Sequence, residues 1–150
     1  MDDIIRQKIE FEISQLDEHI SKSSILIQKC NLEEPDYIEL CAIGSIIQSY
    51  YNGIENILLL ISKNIDGTTP NHVKWHSDLL SSMCKDSEKR SAVFSPQLNV
   101  SLTDYMNFRH FFRHSYGYSI KWEKVKHLFL GLADNWKSVK AELYQFITKE

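Results

Sequence analysis

Apolar residues recur at three- and four-residue steps through most of the chain, which is the spacing of helices that bury one face. In residues 3–30, charged and amide side chains separate the apolar positions, which predicts one long amphipathic helix; these positions are Ile5, Ile9, Ile13, Leu16 and Ile20. Residues 36–64 are apolar around most of the helix circumference, which predicts a central helix that is contacted on several sides. Three further helices are predicted at residues 72–90, 102–116 and 121–148.

Residues that break helices mark the connections between these segments. The clearest loop is 66–70, and residues 95–99 form a second connection that contains a proline. We expect Ser101 or Thr103 to cap the helix that follows and Gly117 to end it. Since no segment alternates strongly enough to predict a strand, we expect an all-α fold, an up-and-down bundle of about five helices.

Composition narrows the class of protein. The 150 residues are 43% hydrophobic and 25% charged, which is typical of one globular domain, and we expect a single domain over residues 1–150. The longest purely apolar run, Ile57–Ile61, is far too short to cross a membrane, and the acidic residues 1–3 do not resemble a signal peptide. The three cysteines are too few and too widely spaced for a disulfide framework; they are Cys30, Cys41 and Cys84. We therefore expect a cytoplasmic protein.

The charge is distributed unevenly. The net charge is −3, which excludes a strongly basic nucleic-acid-binding chain. Residues 1–40 carry ten acidic and four basic side chains, a local charge of −6, whereas residues 104–127 carry five basic and two acidic ones, a local charge of +3. Concentrated positive charge in an acidic chain can bind an anion, although a solvated helix face has the same composition.

The basic stretch contains a helix with two different faces. At about 100° per residue, an aromatic arc is predicted to face the core; it consists of Tyr105, Phe108, Phe111 and Phe112. On the other side Arg109, Arg113 and Tyr116 fall close together, with His110 and His114 beside them. The second face therefore combines guanidinium, imidazole and phenol groups.

This second face suits metal-free RNA cleavage. Two arginines four residues apart repel each other, and a phosphate held between them would remove that cost. A histidine beside the phosphate could take a proton from the ribose 2′-OH, and an arginine could stabilise the charge of the phosphorane. An exposed helix face without catalysis is the alternative that the residues alone leave open.

The spacing Arg109-x4-His114-x-Tyr116 resembles the motif of HEPN-domain ribonuclease toxins, and the chain is similar to the HepT-like toxins among them. His110 fits the polar position that often follows the arginine in that family. The segment 72–80 is similar to a His/Trp-x-x-Leu-Leu segment of these proteins. The resemblance implies a HEPN-like helical bundle and a homodimer in which paired motifs form one composite site.

The resemblance also implies roles and partners. His114 would be the general base or acid and Arg109 the phosphate and transition-state binder, with His110 and Arg113 in support and neither metal nor cofactor. The substrate would be cellular RNA, either transfer RNA or messenger RNA. The antitoxin would be an MntA-like minimal nucleotidyltransferase that transfers AMP onto Tyr116, within a complex that could be larger than the homodimer. Bulk and negative charge at the mouth of a basic cleft would then block RNA.

Two other functions use the same residues differently. A non-catalytic HEPN module would dock a nucleotidyltransferase or hold a nucleotide on the basic face. A helical interaction protein would pair that face with the acidic N-terminal half of another copy. The intact Arg109-x4-His114-x-Tyr116 motif favours the ribonuclease, because docking alone does not require both the arginine and the histidine.

Three polar residues outside the basic stretch also have patterns that suggest a role. Glu55 lies in the apolar central helix, so we expect it to be buried and paired with Arg109 or Arg113, either to orient the guanidinium or as a structural ion pair. His72 and His76 have the spacing of two metal ligands, but no third ligand accompanies them, and we interpret both as surface or interface histidines.

Overall fold

A computed structural model describes residues 1–115 and 120–150, and every regular element in that part of the chain is a helix. The α-helices are α1 (Asp3–Leu32), α2 (Tyr37–Ile61), α3 (Trp75–Ser82), α4 (Pro96–Arg113), α5 (Trp122–Leu130) and α6 (Leu132–Lys149). A π-helical turn, Ser62–Asp66, extends α2. The predicted all-α bundle is confirmed, with differences in where individual helices begin and end. None of the helices in the described ranges is both long enough and apolar enough to span a membrane.

The two long helices are started by acidic caps. The Asp2 carboxylate accepts a hydrogen bond from the Ile4 amide at 2.7 Å. At α2, Asp36 and Glu39 form a reciprocal capping box, in which each carboxylate accepts the backbone N–H of the other residue. Pro35 lies in the short connection, which returns the chain so that α1 and α2 pack side by side. The prediction of two long N-terminal helices is therefore confirmed.

Helix α2 is the centre of the bundle, as its broad apolar surface predicted. It packs against α1, α3, α4 and α5. Eight of its hydrophobic side chains are completely buried: Ile43, Ile47, Tyr50, Tyr51, Ile54, Ile57, Leu58 and Ile61. A helix surrounded in this way can present different residues to different neighbours, and the residues that it presents to α3 and α4 form the candidate site described below.

The loop predicted at 66–70 is confirmed from Gly67 onwards, whereas Asp66 is the last residue of the π-helical turn. Gly67 ends the π-helical turn in the left-handed conformation, at φ 72°, and its N–H donates to the Ser62 carbonyl. Residues with a side chain larger than a hydrogen atom rarely adopt this backbone conformation, which explains the glycine at this position.

The prediction of a third helix over 72–90 was wrong, because α3 is limited to eight residues. Beyond it the chain wraps around the buried side chain of Arg90. The Arg90 guanidinium donates to both Asp66 oxygens at 2.7 and 2.9 Å and to the backbone carbonyls of Ser82, Lys85 and Ser91. The guanidinium N–H groups therefore take the place of helical backbone donors for these carbonyls, and the Asp66 carboxylate balances the buried charge.

The start of α4 and the end of the chain also differ from the predictions. Helix α4 begins at Pro96 rather than at residue 102, and Ser95 is its cap instead of Ser101 or Thr103. Proline is well suited to a first helical turn, where its missing N–H would have no intrahelical partner. The helix predicted over 121–148 is divided at Gly131, where a Cβ atom would lie only 2.8 Å from the His127 carbonyl oxygen. Gly117, the predicted end of the fourth helix, lies outside the described residues.

Close packing of α1 on α2 leads to a prediction at Gly53. A Cβ atom there would lie 2.6 Å from Cδ2 and 2.9 Å from Cγ of the buried Leu16. We expect Gly53→Ala to lower the free energy of unfolding by about 1–3 kcal/mol, because overpacking outweighs the higher helix propensity of alanine. Urea unfolding measures this, with Ser49→Ala on the exposed face of α2 as the control. A more stable Gly53→Ala variant would contradict the tight contact.

Candidate functional site

A cleft of about 360 Å³ lies between the beginning of α3 and the last two turns of α4, and we call it the motif cleft. On the α3 side its wall is formed by Val73, Lys74, His76 and Ser77, and on the α4 side by Met106, Asn107, Arg109, His110, Arg113 and His114. Four of the five predicted site residues therefore border one cavity. Tyr116, the fifth, lies outside the described residues.

Arg109 is buried in the floor of the motif cleft, with only 3% of its surface exposed. Its Nη1 donates to Asn52 Oδ1 and to Glu55 Oε1, both at 3.0 Å, and its Nη2 donates to Glu55 Oε2 at 2.8 Å. The guanidinium also lies over the Tyr51 ring, 4.6 Å from its centroid. Arg109 is thus held by a two-pronged ion pair, an amide and an aromatic face.

The spacing of residues on α2 explains how one helix supplies all of these partners. Tyr51, Asn52 and Glu55 are separated by one, three and four residues, so their side chains emerge on the side of α2 that faces α4. The predicted pairing of Glu55 with Arg109 is confirmed. The contributions of Tyr51 and Asn52 were missed, because an aromatic or amide residue in an apolar helix carries no sequence signal for an arginine more than 50 positions away.

The Glu55 carboxylate is the negative centre of the site. Burial alone would raise its pKa, but hydrogen bonds from Arg109 and from His76, together with their charges, lower the pKa below its ordinary value. Glu55 is therefore ionised at neutral pH and balances the charge of the buried arginine.

His76 was interpreted as a surface or interface histidine; it is half-buried and borders the motif cleft, and the sequence did not indicate its contact with Glu55. Its Nδ1 lies 2.8 Å from Glu55 Oε2, and its ring stacks on Trp75 at 3.6 Å between centroids. The interpretation is correct for His72, whose exposed ring pairs with Asp78 at 2.6 Å on the surface. Hydrophobic periodicity within α3 could not relate His76 to a carboxylate on α2.

The side chains of His110, Arg113 and His114 are exposed at the mouth of the motif cleft. Arg113 donates from Nη2 to Asn52 Oδ1 at 3.1 Å, so this amide oxygen accepts from both Arg109 and Arg113. The rings of His110 and His114 lie 4.6 Å apart. Since Glu55 neutralises only Arg109, the charge of Arg113 is available to an anion in the motif cleft.

The two faces predicted for α4 are only partly separate in the structure. Arg109 and His114 are about 140° apart on an ideal wheel, yet both border the motif cleft of a single chain. The aromatic arc is less uniform than predicted: Tyr105 and Phe108 are buried, Phe112 is half-buried, but Phe111 is 41% exposed. Among the described residues, no group of three or more His, Cys, Asp or Glu side chains is arranged to hold a metal ion.

The buried ion pair predicts a pH-dependent loss of stability in Glu55→Gln. At pH 7 the substitution leaves Arg109 buried without its counter-charge, which is expected to cost about 3–5 kcal/mol of unfolding free energy. Because the pKa of Glu55 is lowered by folding, its contribution is complete above the ordinary glutamate pKa of about 4.3 and is lost as the pH falls below it.

The measurement is chemical denaturation of both proteins from pH 7 to pH 3. The stability difference between wild type and Glu55→Gln should shrink towards the acidic end. Glu18→Gln, which removes the exposed ion pair with Lys22 at 2.9 Å, is the matched control and should change stability little at any pH. A stability difference that is absent at pH 7 would contradict the role of the buried pair.

Comparison with known proteins gives a family for the chain. Residues 42–149 match a family model described as HepT-like protein, which covers more than two thirds of the chain and all residues of the motif cleft. No curated protein and no solved structure shows significant similarity to the chain. HepT-like proteins are HEPN-type domains, a group that is generally related to nucleases and to toxin–antitoxin systems. The chain belongs to the HepT-like protein family.

Proposed function

We propose that this protein is the toxin of a HEPN/minimal-nucleotidyltransferase pair and cleaves cellular RNA without a metal ion. The observation that carries the proposal is the motif cleft itself, in which an exposed arginine and two exposed histidines adjoin a buried, ion-paired arginine. The cavity of about 360 Å³ has room for a phosphate group, and its free charge is positive. Imidazoles beside a bound phosphodiester are the groups that proton transfer requires.

The proposed reaction is internal transesterification. A base removes the proton of the ribose 2′-OH, and the 2′-oxygen forms a bond to the adjacent phosphorus. The bond from phosphorus to the 5′-oxygen breaks, and that oxygen receives a proton from an acid. The products are a 2′,3′-cyclic phosphate and a 5′-hydroxyl end.

The geometry supports a division of roles between the two arginines. The Nη groups of Arg109 already donate to Glu55 and Asn52, so in this proposal Arg109 fixes the geometry of the floor of the motif cleft. Arg113 is exposed and makes one hydrogen bond to Asn52, which leaves most of its donors for the phosphate. His114 transfers the proton, and His110 supports it at 4.6 Å.

We further propose a homodimer in which the motif clefts of two copies combine. The support is the exposure of His110, Arg113 and His114 at the mouth of the motif cleft, where a second chain could add its own motif. The MntA-like partner would place AMP on Tyr116, only two positions along the chain from His114. An added phosphate there would compete with RNA for the same positive charge.

Cleavage of RNA tests the activity directly. We expect wild-type protein, prepared without its partner, to cleave total RNA in the presence of EDTA and to leave 2′,3′-cyclic phosphate ends. His114→Ala should lose about 10²–10⁴-fold in rate, the usual contribution of acid–base catalysis. His127→Ala removes an exposed histidine outside the motif cleft and is the matched control. A folded wild-type dimer that cleaves no RNA would contradict the proposal.

Tyr116→Phe tests the regulation separately from the chemistry. The variant lacks the hydroxyl that would accept AMP but keeps the ring, so we expect it to cleave RNA at the wild-type rate. Incubation with the nucleotidyltransferase and ATP should silence wild type and leave Tyr116→Phe active, with the added mass of AMP found on wild type alone. Equal silencing of both proteins would place the modification elsewhere or show inhibition by binding.

One observation favours a second candidate function, the non-catalytic HEPN module. The arginine of the motif is 3% exposed and ion-paired, which a purely structural arginine would also be. Such a module would bind a nucleotide or a nucleotidyltransferase at Arg113, His110 and His114 and would leave RNA intact. The cleavage assay therefore separates the two functions.

A further inference from the structure

We propose that His76 is the general base of the motif cleft, positioned by Glu55, and that His114 is the general acid. This inference rests on the proposed ribonuclease function and assigns its two proton transfers to two different helices. His76 accepts the 2′-OH proton at Nε2 as the 2′-oxygen bonds to phosphorus. His114 releases a proton to the 5′-oxygen as its bond to phosphorus breaks.

The contacts of Nδ1 decide which tautomer we assign to the His76 ring. Nδ1 lies 2.8 Å from Glu55 Oε2 and 3.0 Å from Arg109 Nη2. Nδ1 therefore has an acceptor on one side and a donor on the other. We place the proton on Nδ1, donating to Glu55, because an unprotonated Nδ1 would set its lone pair against the ionised carboxylate at 2.8 Å. Arg109 Nη2 donates to the same Oε2 oxygen at 2.8 Å, which brings the two nitrogens together as neighbouring donors. In the neutral ring the lone pair then lies on Nε2.

The burial of Glu55 and His76 indicates which way Nε2 points. The Glu55 side chain is 9% exposed and that of His76 is 35% exposed, so the Nδ1 edge of the ring is directed inward. His76 borders the motif cleft with 35% of its side chain exposed, and we infer that the edge that carries Nε2 faces the cavity. Nε2 has no hydrogen-bond partner among the described residues. A fixed imidazole with a free Nε2 in a cavity matches the arrangement of a histidine base held by a carboxylate.

The charges around the His76 ring suit a group that gains a proton during the reaction. Glu55 on α2 faces the His76 ring. The charged and titratable side chains of α4 that border the same cavity are Arg109, His110, Arg113 and His114. Lys74, two residues before His76, also lines the cavity. When His76 gains a proton, Glu55 stabilises the imidazolium, while Arg113 and Lys74 remain for the phosphate. The stacked Trp75 ring, inclined by 28°, holds the plane of the imidazole during the transfer.

The proposed transesterification needs two proton-transfer groups. Attack by the 2′-oxygen requires a base, and departure of the 5′-oxygen requires an acid, on opposite sides of the phosphorus. His76 on α3 and His114 at the end of α4 border the motif cleft from two different helices, so the two groups can approach a bound phosphate from different directions. His110 lies beside His114 on α4, with 4.6 Å between the ring centroids, and does not supply a group from α3.

The experiment uses two substitutions of His76 and one matched control. His76→Asn keeps an N–H donor near the Nδ1 position for Glu55 but removes Nε2, whereas His76→Ala leaves a space that free imidazole can occupy. His72→Ala removes the exposed histidine four residues earlier, which pairs only with Asp78, and should cleave at the wild-type rate. Circular dichroism and urea unfolding establish that each protein is folded.

We expect both His76 variants to cleave an RNA oligonucleotide about 10²–10⁴-fold more slowly than wild type. Free imidazole should restore part of the rate of His76→Ala, and the acidic limb of the wild-type pH–rate profile should disappear in His76→Asn. An oligonucleotide with sulfur in place of the 5′-oxygen separates the two steps, because a thiolate departs without an acid. This substrate should rescue His114→Ala and leave His76→Ala slow.

The outcomes distinguish this inference from the proposed function. Wild-type rates in both His76 variants, with His114→Ala inactive, would overturn the assignment of His76 and leave the ribonuclease intact. A slow His76→Ala variant without imidazole rescue and with an unchanged pH profile would also overturn it, because His76 would then act only by placing Arg109. Absence of cleavage by wild type would overturn the ribonuclease and the base together.

Discussion

The buried pair of Glu55 and Arg109 is the interaction on which the site depends. A guanidinium that is 3% exposed is tolerated only with an ionised partner in good geometry, and Glu55 supplies both of its oxygens at 2.8 and 3.0 Å. The pair joins α2 to α4, and His76 brings α3 to the same carboxylate. Three helices therefore meet at one negative charge, and the motif cleft is the space that they leave above it.

The rest of the bundle supports this junction from below. Helix α2 is surrounded by neighbours, so its polar face can be directed at α4 without exposing its apolar surface. Gly44 and Gly53 lie where a Cβ atom would come within 2.6 Å of side chains from α4 and α1, and they permit close approach on both sides of α2. Close approach sets the distance between Glu55 and Arg109, because neither backbone can shift far in a densely packed core.

The site combines a compensated charge with an uncompensated one. Arg109 contributes to stability and local geometry, while Arg113, His110 and His114 keep their chemistry available at the mouth of the motif cleft. Asn52 links the two arginines through one oxygen, which offsets the repulsion between side chains four residues apart. An anion bound in the motif cleft would complete this network by supplying the counter-charge that Arg113 lacks.

The sequence by itself determined the helical class, the central position of α2 and the membership of Arg109, His110, Arg113 and His114 in one basic site, because these follow from periodicity and spacing within single helices. It also indicated that Glu55 would pair with an arginine, because a carboxylate in an apolar helix needs a partner. It could not place the end of α3, since Arg90 and Asp66 form their pair across 24 positions. Only the tertiary structure decided that Tyr51, Asn52 and His76 belong to the site, because contacts between helices depend on how the helices pack and leave no local pattern along the chain.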